Sequence, residues 1–425
     1  MTVIKNAKVL LNDELVQRDV QFKDGKIVAI SKVIDETNDQ YFDAKQAFLS
    51  AGLIDVHVHF REPGFEYKET IATGSKAAAR GGFTTVIAMP NLNPVPDNPK
   101  LLADQIQRNT DNGLIHIAQY GAISANLTAT KISDIKGMAE AGATAFTNDG
   151  KGVQTADTML QAMQAALSVN KPLAAHLEDD SLLHGGVMNA GATAQKLELP
   201  GITGLAESTQ LARDLVLAKA TGVHYHVAHI STKESVALVR MAKSAGVNVT
   251  AEVSPHHLLL ADDDIKSDNA LFKMNPPLRS QADREALISG LLDGTIDMVA
   301  TDHAPHGSEE KSKSFRESPF GITGIETSFQ LLYTHLVKSG VMTLATLMKR
   351  MVASPAEAFQ LKAPTNIAVG EAADLALFDL EHESDITVDD FESLGKNSPF
   401  VGWRVFGKTL ATWVDGEIVY EDQTK

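Results

Sequence analysis

Residues 53–64 read LIDVHVHFREPG, an apolar run ending in His57-Val58-His59. Residues two apart on a strand point to the same side, so both imidazoles converge on one point. Neutral imidazole is a common ligand for zinc and similar divalent ions. Arg61 follows in the same neighbourhood, and its guanidinium fork suits a carboxylate. A metal-binding pair beside an anion clamp is the outline of a hydrolase for an acidic substrate. An isolated H-x-H is more often an ordinary pair of strand histidines, so the reading depends on what the rest of the chain supplies.

The elements that must position these groups are legible as alternating patterns. Short apolar runs lie at 53–60, 84–90, 115–121, 143–149, 172–178, 223–231, 247–255 and 297–305. Between them are Ala-rich stretches of helical spacing that end on glycine, such as ETIATGSKAAARGG and KESVALVRMAKSAG. Eight strand-then-helix units predict an α/β fold, a (β/α)8 TIM barrel over 51–359. The chain ends read differently. VIKNAKVLL, VQFKDGKIVAI, ADLALFDL and TLATWVDGEIVY have strand character, with turn signals at Asn12-Asp13, Asp24-Gly25 and Asp415-Gly416. Neither end has enough strands to close a core alone, so residues 1–50 and 360–425 are expected to form one small composite β-sandwich.

In such barrels chemistry sits at the C-terminal ends of the strands. Those ends carry His57 and His59 (first), Asp149 (fourth), His176 (fifth), His229 (sixth) and Asp302 (eighth). Six His or Asp residues on five strand ends make a candidate metal-ligand set. His224 and His226 are expected on the face opposite His229, as packing or buried hydrogen-bonding groups. His303 should point away from Asp302. His256 and His257 follow the seventh strand as weaker ligand candidates, while His116, His184, His335 and His382 have no supporting context.

Composition narrows the partners. The chain of 425 residues has 54 acidic and 38 basic side chains, for a formal net charge of −16. That argues against a nucleic-acid or anionic-membrane binder, which needs a basic surface. It contains no cysteine, so any metal is held by His, Asp, Glu or water. No apolar run reaches the length of a membrane span, and the N-terminal stretch lacks a signal-peptide pattern, so a cytoplasmic protein is expected.

Several motifs together resemble the bacterial dihydroorotases of the amidohydrolase superfamily: DVHVHFREPG, GGFTTVIAMPNLNPVPD (81–97), FTNDG (146–150), AEVSPHHL (251–258), KMNPPLR (273–279) and ATDHAPH (300–306). They run in order over most of the chain. Hydantoinases and allantoinases share the H-x-H and the late Asp but usually bridge their metals with a carboxylated lysine. Asp149 at that place, with Lys151 two residues on, matches the aspartate-bridged dihydroorotases.

The resemblance implies one or two zinc ions per subunit: His57, His59 and Asp302 on one, His176 and His229 on the other, Asp149 shared. It implies His59, Arg61, Asn91, Asn275 and His306 as substrate contacts, with Phe320-Gly321 closing over the ring. It implies reversible cyclisation of N-carbamoyl-L-aspartate to L-dihydroorotate, in pyrimidine biosynthesis, with Asp302 as the catalytic group that moves the proton. A homodimer, and association with aspartate carbamoyltransferase, are the partners it suggests. Residues 307–319, GSEEKSKSFRESP, are polar and mixed in charge; they read as a solvated loop or, more sharply, a mobile lid.

Overall fold

The computed structural model describes residues 1–35 and 40–423. Eight strands form one parallel sheet in chain order: β1 (Leu53–Val58), β2 (Phe83–Ala88), β3 (His116–Ala122), β4 (Ala145–Thr147), β5 (Leu173–Ala175), β6 (Tyr225–Val227), β7 (Val249–Val253) and β8 (Met298–Val299). The barrel closes just beyond β8, where Val58 bridges His303 in parallel and His59 N–H donates to the His303 carbonyl at 2.9 Å. Asp55 locks this seam from within: fully buried, it accepts from the Thr301 N–H at 3.1 Å and hydroxyl at 2.5 Å. Val56, Ile87, Met89, Tyr120, Ala174, Met298 and Phe359 fill the interior below the strand ends, so polar side chains gather at the top.

Helices follow where the periodicity predicts them. Ile71–Arg80 starts on Thr70, whose hydroxyl accepts from the Thr73 N–H at 3.1 Å, and Lys233–Ser244 starts on Thr232 in the same way at 3.2 Å. Such caps satisfy donors that the helix itself leaves unpaired. The second stretch stops at Gly246, whose φ of 73° takes the left-handed conformation that glycine adopts freely.

Both chain ends build a second sheet, of eight strands. Phe48–Ala51 pairs antiparallel with Leu375–Asp379, Leu49 opposite Leu377, and this joins the two ends. The expected turns are present, with left-handed backbone at Asn12, Asp13, Asp24 and Asp415. The sheet folds over itself, so that Lys26 bridges Ala372 and the Ala373 N–H reaches the Gly25 carbonyl at 2.8 Å. Trp413, fully buried and edge-on to Phe42 at 5.2 Å, lies in the core between its layers. One sheet thereby makes both layers of the composite sandwich.

The C-terminal segment does not stay in that sheet. Between Leu375–Asp379 and Lys408–Val414 it crosses to the top of the barrel. Buried Glu69 and Glu326 receive it there, accepting from the backbone N–H groups of Leu394 (3.2 Å) and Ser393 (3.2 Å).

Candidate metal centre and substrate pocket

The six candidate ligands converge. Asp149 stands at the centre: its Oδ1 lies 3.3 Å from His57 Nε2, 3.6 Å from His176 Nδ1 and 3.5 Å from His229 Nε2, and its Oδ2 lies 3.5 Å from His59 Nε2. Asp302 Oδ1 is 3.1 Å from His59 Nε2 and 3.5 Å from His57 Nε2. Two groups share Asp149, one with His57 and His59, the other with His176 and His229. All six residues are buried. A further group, His116 with Asp374 and Asp415, lies away from this centre and is partly exposed.

Neighbouring groups fix how the imidazoles present themselves. His59 Nδ1 lies 2.9 Å from Asn91 Oδ1, and its Nε2 faces Asp302 Oδ1 at 3.1 Å. His57 Nδ1–H donates to Glu252 Oε1 at 2.5 Å, which turns its Nε2 toward Asp149. A hydrogen bond on one ring nitrogen that frees the other is the usual support of a metal-ligating histidine. His57 Nε2, Asp149 Oδ1 and His229 Nδ1 are buried without a hydrogen-bond partner, although buried polar atoms are normally satisfied. Against the effect of burial, Asp149 and Glu252 pull the His57 imidazole well above its ordinary pKa, and Asp149 and Glu178 pull His176 up to about 10. The cluster therefore attracts positive charge, and its donors, imidazole nitrogens and carboxylate oxygens, suit a divalent cation.

A cavity of about 360 Å³ opens above the cluster, lined by His59, Asp149, His176, His229 and Asp302 on one side and by Arg61, Asn91, Asn275, His306, Phe320 and Gly321 on the other. Every expected substrate contact faces it. Arg61 is anchored through Nε to the Pro305 carbonyl at 3.3 Å. Burial lowers its pKa to about 10, which still leaves it charged. Asn275 donates to Glu178 Oε2 at 2.5 Å. His306 Nε2–H donates to the Phe320 carbonyl at 2.7 Å, and its Nδ1 accepts from Lys68 Nζ at 3.3 Å. Burial, with the charges of Arg61, Lys68 and Lys311, depresses His306 to about 2 and keeps it neutral.

One expectation about the other histidines is corrected. Strict alternation would separate His226 from His229, yet both reach Glu252: His226 Nε2 lies 3.0 Å from Oε2 and the His229 backbone N–H 3.1 Å from Oε1. The strand ends at Val227 and His229 turns to a φ of 31°, so the alternation no longer holds there. His256 and His257, the weaker candidates, stand outside both His/Asp groups, and both rings are tied to Ser254 Oγ, at 2.8 and 2.6 Å. His303 does turn away from Asp302, toward the Gly324 N–H and Glu69.

The stretch 307–319 is not simply solvated. Lys311, Phe315 and Ser318 are buried. Lys311 Nζ donates to the carbonyls of Lys273 (3.1 Å), Pro319 (3.1 Å) and Gly321 (2.9 Å). Lys273 Nζ donates to those of Phe315 and Ser318, both at 2.5 Å, and lies 4.5 Å over the Phe320 ring. Asn397, from the C-terminal crossing, ties the same loops: Oδ1 accepts from the His306 N–H at 3.0 Å, and Nδ2 donates to the carbonyls of Ala304 (3.2 Å) and Gly321 (3.0 Å).

Glu178, Glu252, Lys273, Lys311 and Asn397 were not singled out by the sequence motifs. Two carried a signal: Glu178 lies two residues past His176, and Glu252 is an acid within the otherwise interior strand β7.

The family model described as Dihydro-orotase-like matches residues 47–235. The chain is 54% identical over 427 residues to a protein of Ligilactobacillus salivarius named dihydroorotase, covering all of both chains. It is 54% identical over 426 residues to one of Enterococcus faecalis, again covering both fully. Among solved structures, an L-hydantoinase (dihydropyrimidinase) from Arthrobacter aurescens superposes with a TM-score of 0.88 at 27% identity, over 99% of this chain and 96% of that one. A D-hydantoinase from a Bacillus species (AR9) superposes with a TM-score of 0.86 at 21% identity, over 100% and 96%, a likeness of fold.

Proposed function

The chain belongs to the dihydroorotase family, and from that premise we propose a residue-level account of its metal-dependent cyclic amide chemistry. The reaction is the reversible interconversion of N-carbamoyl-L-aspartate and L-dihydroorotate, in pyrimidine biosynthesis. The observation that carries the account is the meeting, in one cavity, of a His/Asp cluster and an arginine held without a carboxylate partner among the described residues.

His57, His59 and Asp302 would hold one zinc and His176 and His229 a second, with Asp149 between them; occupancy is one or two ions per subunit. A divalent cation in such a site polarises the ring carbonyl and lowers the pKa of the attacking water. The protein's own groups do the rest. Arg61 pairs with the substrate carboxylate through its two terminal nitrogens. Asn91, whose oxygen is engaged by His59, has its amide nitrogen left to offer the substrate. Asn275, whose nitrogen is engaged by Glu178, offers its oxygen. Phe320 and Gly321 cover the ring, and His306 holds the Phe320 carbonyl in place.

Asp302 takes a proton from the water and delivers it to the departing ring nitrogen; ring closure reverses these steps through the same atoms. Burial alone would raise the Asp302 carboxyl, but the His59 hydrogen bond and the neighbouring imidazole charges bring it down to about 2. It therefore starts as the base that hydrolysis requires.

The barrel (51–359) would carry the ligands, while the part built from 1–50 and 360–425 supports it and lends Asn397 to the pocket. A homodimer, association with aspartate carbamoyltransferase and a cytoplasmic setting complete the proposal; among the described residues no helix is long and apolar enough to cross a membrane.

Turnover of L-dihydroorotate by metal-quantified protein, beside hydantoin and dihydrouracil, tests the account. Activity confined to dihydroorotate, lost on chelation and restored by zinc, is expected. Turnover of the neutral rings alone would leave the Arg61 clamp without a purpose and overturn it.

A further inference from the structure

Beneath the metal cluster, a column of polar side chains runs down the barrel among apolar neighbours. Glu252, 1% exposed, is its first member. One of its oxygens takes His57 Nδ1–H and the His229 backbone N–H, and the other faces His226 Nε2. The other ring nitrogen of His226, Nδ1, lies 2.8 Å from Thr250 Oγ1, which lies 2.8 Å from His224 Nε2. His224 and Thr250 line a cavity of about 420 Å³ among the N-terminal ends of β5–β8, opposite the substrate pocket. Hydrogen-bonded side chains thus run unbroken from that cavity to a ligand of each metal group.

The hydrogens in the column can be placed. Glu252 faces two imidazole nitrogens and a backbone N–H, and a carboxylate so placed can only accept. It has no hydrogen to give, so His57 Nδ1 and His226 Nε2 each carry one. An imidazole with a single hydrogen then accepts at its second nitrogen. The Thr250 hydroxyl therefore donates to His226 Nδ1 and itself accepts from His224 Nε2–H. The order commits His57 Nδ1 to Glu252 and leaves Nε2 as the nitrogen turned to the cluster.

We propose that Thr250 and His226 are positioning residues which, acting through Glu252, hold His57 with Nε2 turned to the cluster and fix the His229 backbone, so that metal affinity is set partly from the far end of the barrel. This inference rests on the reading that the His/Asp cluster binds a divalent cation. It assigns a role to His226 and Thr250, which touch neither metal ligand nor substrate.

The test is the zinc dissociation constant, read by competition with a chromogenic chelator, together with the melting temperature of the metal-free protein. Thr250→Val keeps the shape and removes the hydroxyl; Thr250→Ser keeps the hydroxyl. Removing outer partners of metal ligands typically weakens binding about 10–100-fold. His226→Leu is expected in that range, Thr250→Val near its lower edge, and Thr250→Ser close to the parent. Zinc bound as tightly by Thr250→Val and His226→Leu as by the parent would overturn the inference. Equal losses in Thr250→Val and Thr250→Ser, or a lower melting temperature with unchanged affinity, would also overturn it, because packing alone would then explain the column. A parent protein that binds no zinc would instead overturn the metal-centre reading itself.

Discussion

His57, His59, Asp149, His176, His229 and Asp302 stand on barrel strands or within three residues of their ends. His306, Phe320 and Gly321, across the cavity, stand on loops secured by Lys273, Lys311 and Asn397, side chains that come from well outside those loops or from their far edge. The cluster inherits its geometry from the barrel's hydrogen-bonded sheet. The pocket wall owes its geometry to a few side-chain tethers onto backbone carbonyls and N–H groups. Damage to the first half should therefore abolish chemistry in an otherwise intact fold. Damage to the second should loosen substrate binding in graded steps.

The sharpest break is Asp302→Asn. Loss of a positioned proton carrier typically costs roughly 10²–10⁴-fold in rate, and kcat should fall at least that far, since a ligand is weakened too. Circular dichroism should show the fold retained; near-normal turnover would remove Asp302 from the mechanism. Next is Arg61→Lys. A hydrogen bond to a charged group contributes about 1.5–3 kcal/mol, so KM should rise roughly ten- to a hundredfold with a smaller change in kcat. An unchanged KM would mean the carboxylate binds elsewhere.

Asn397→Ala addresses the tethers. It strips partners from the buried His306 N–H and the Ala304 carbonyl, while the Gly321 carbonyl keeps Lys311, at a cost of about 1–3 kcal/mol for each group left unsatisfied. Denaturant unfolding should show the loss of stability, and KM should rise while bound zinc stays at the parent level. Zinc lost in parallel would erase the contrast between the two halves.

The smallest expected effect is from Lys311→Met, as a modest rise in KM. It also carries a pH signature. Burial brings Lys311 down to about 7, from 10.5. Between those values the unfolded chain binds a proton that the folded chain has released, so this group's contribution to stability grows as pH rises from about 7 toward 10. The stability difference between parent and Lys311→Met should shift in the parent's favour over that interval, and a flat difference would show Lys311 unperturbed.

The same contrast explains what is legible in sequence. Ligands at strand ends are found by counting strands, because an apolar run, a turn and a helix recur eight times and the chemistry falls at one fixed phase. Arg61 is found because it trails the first strand by three residues. The tethers leave no such trace. Asn397 is 91 residues from His306, and its partners are mainly backbone groups, which every residue possesses. Lys273 and Lys311 resemble surface lysines until the carbonyls around them are seen. Alternation sets His226 and His229 on opposite faces only if it is carried past Val227, where the strand stops. The crossing of 380–407 onto the barrel was equally hidden, since the strands on either side of it read as one domain.

Asn397 and the pairing of Phe48–Ala51 with Leu375–Asp379 also carry a consequence for biosynthesis. A chain made from its N-terminus onward presents all six ligands by residue 302, but Asn397 comes nearly a hundred residues later. During that interval the edge of Phe48–Ala51 waits for a strand not yet made, and the pocket loops lack their last tether. A ribosome stalled after residue 360 would hold a barrel that has its ligands but neither its companion sheet nor its finished pocket. Competence in this protein waits for Asn397 to be made rather than growing in proportion to length.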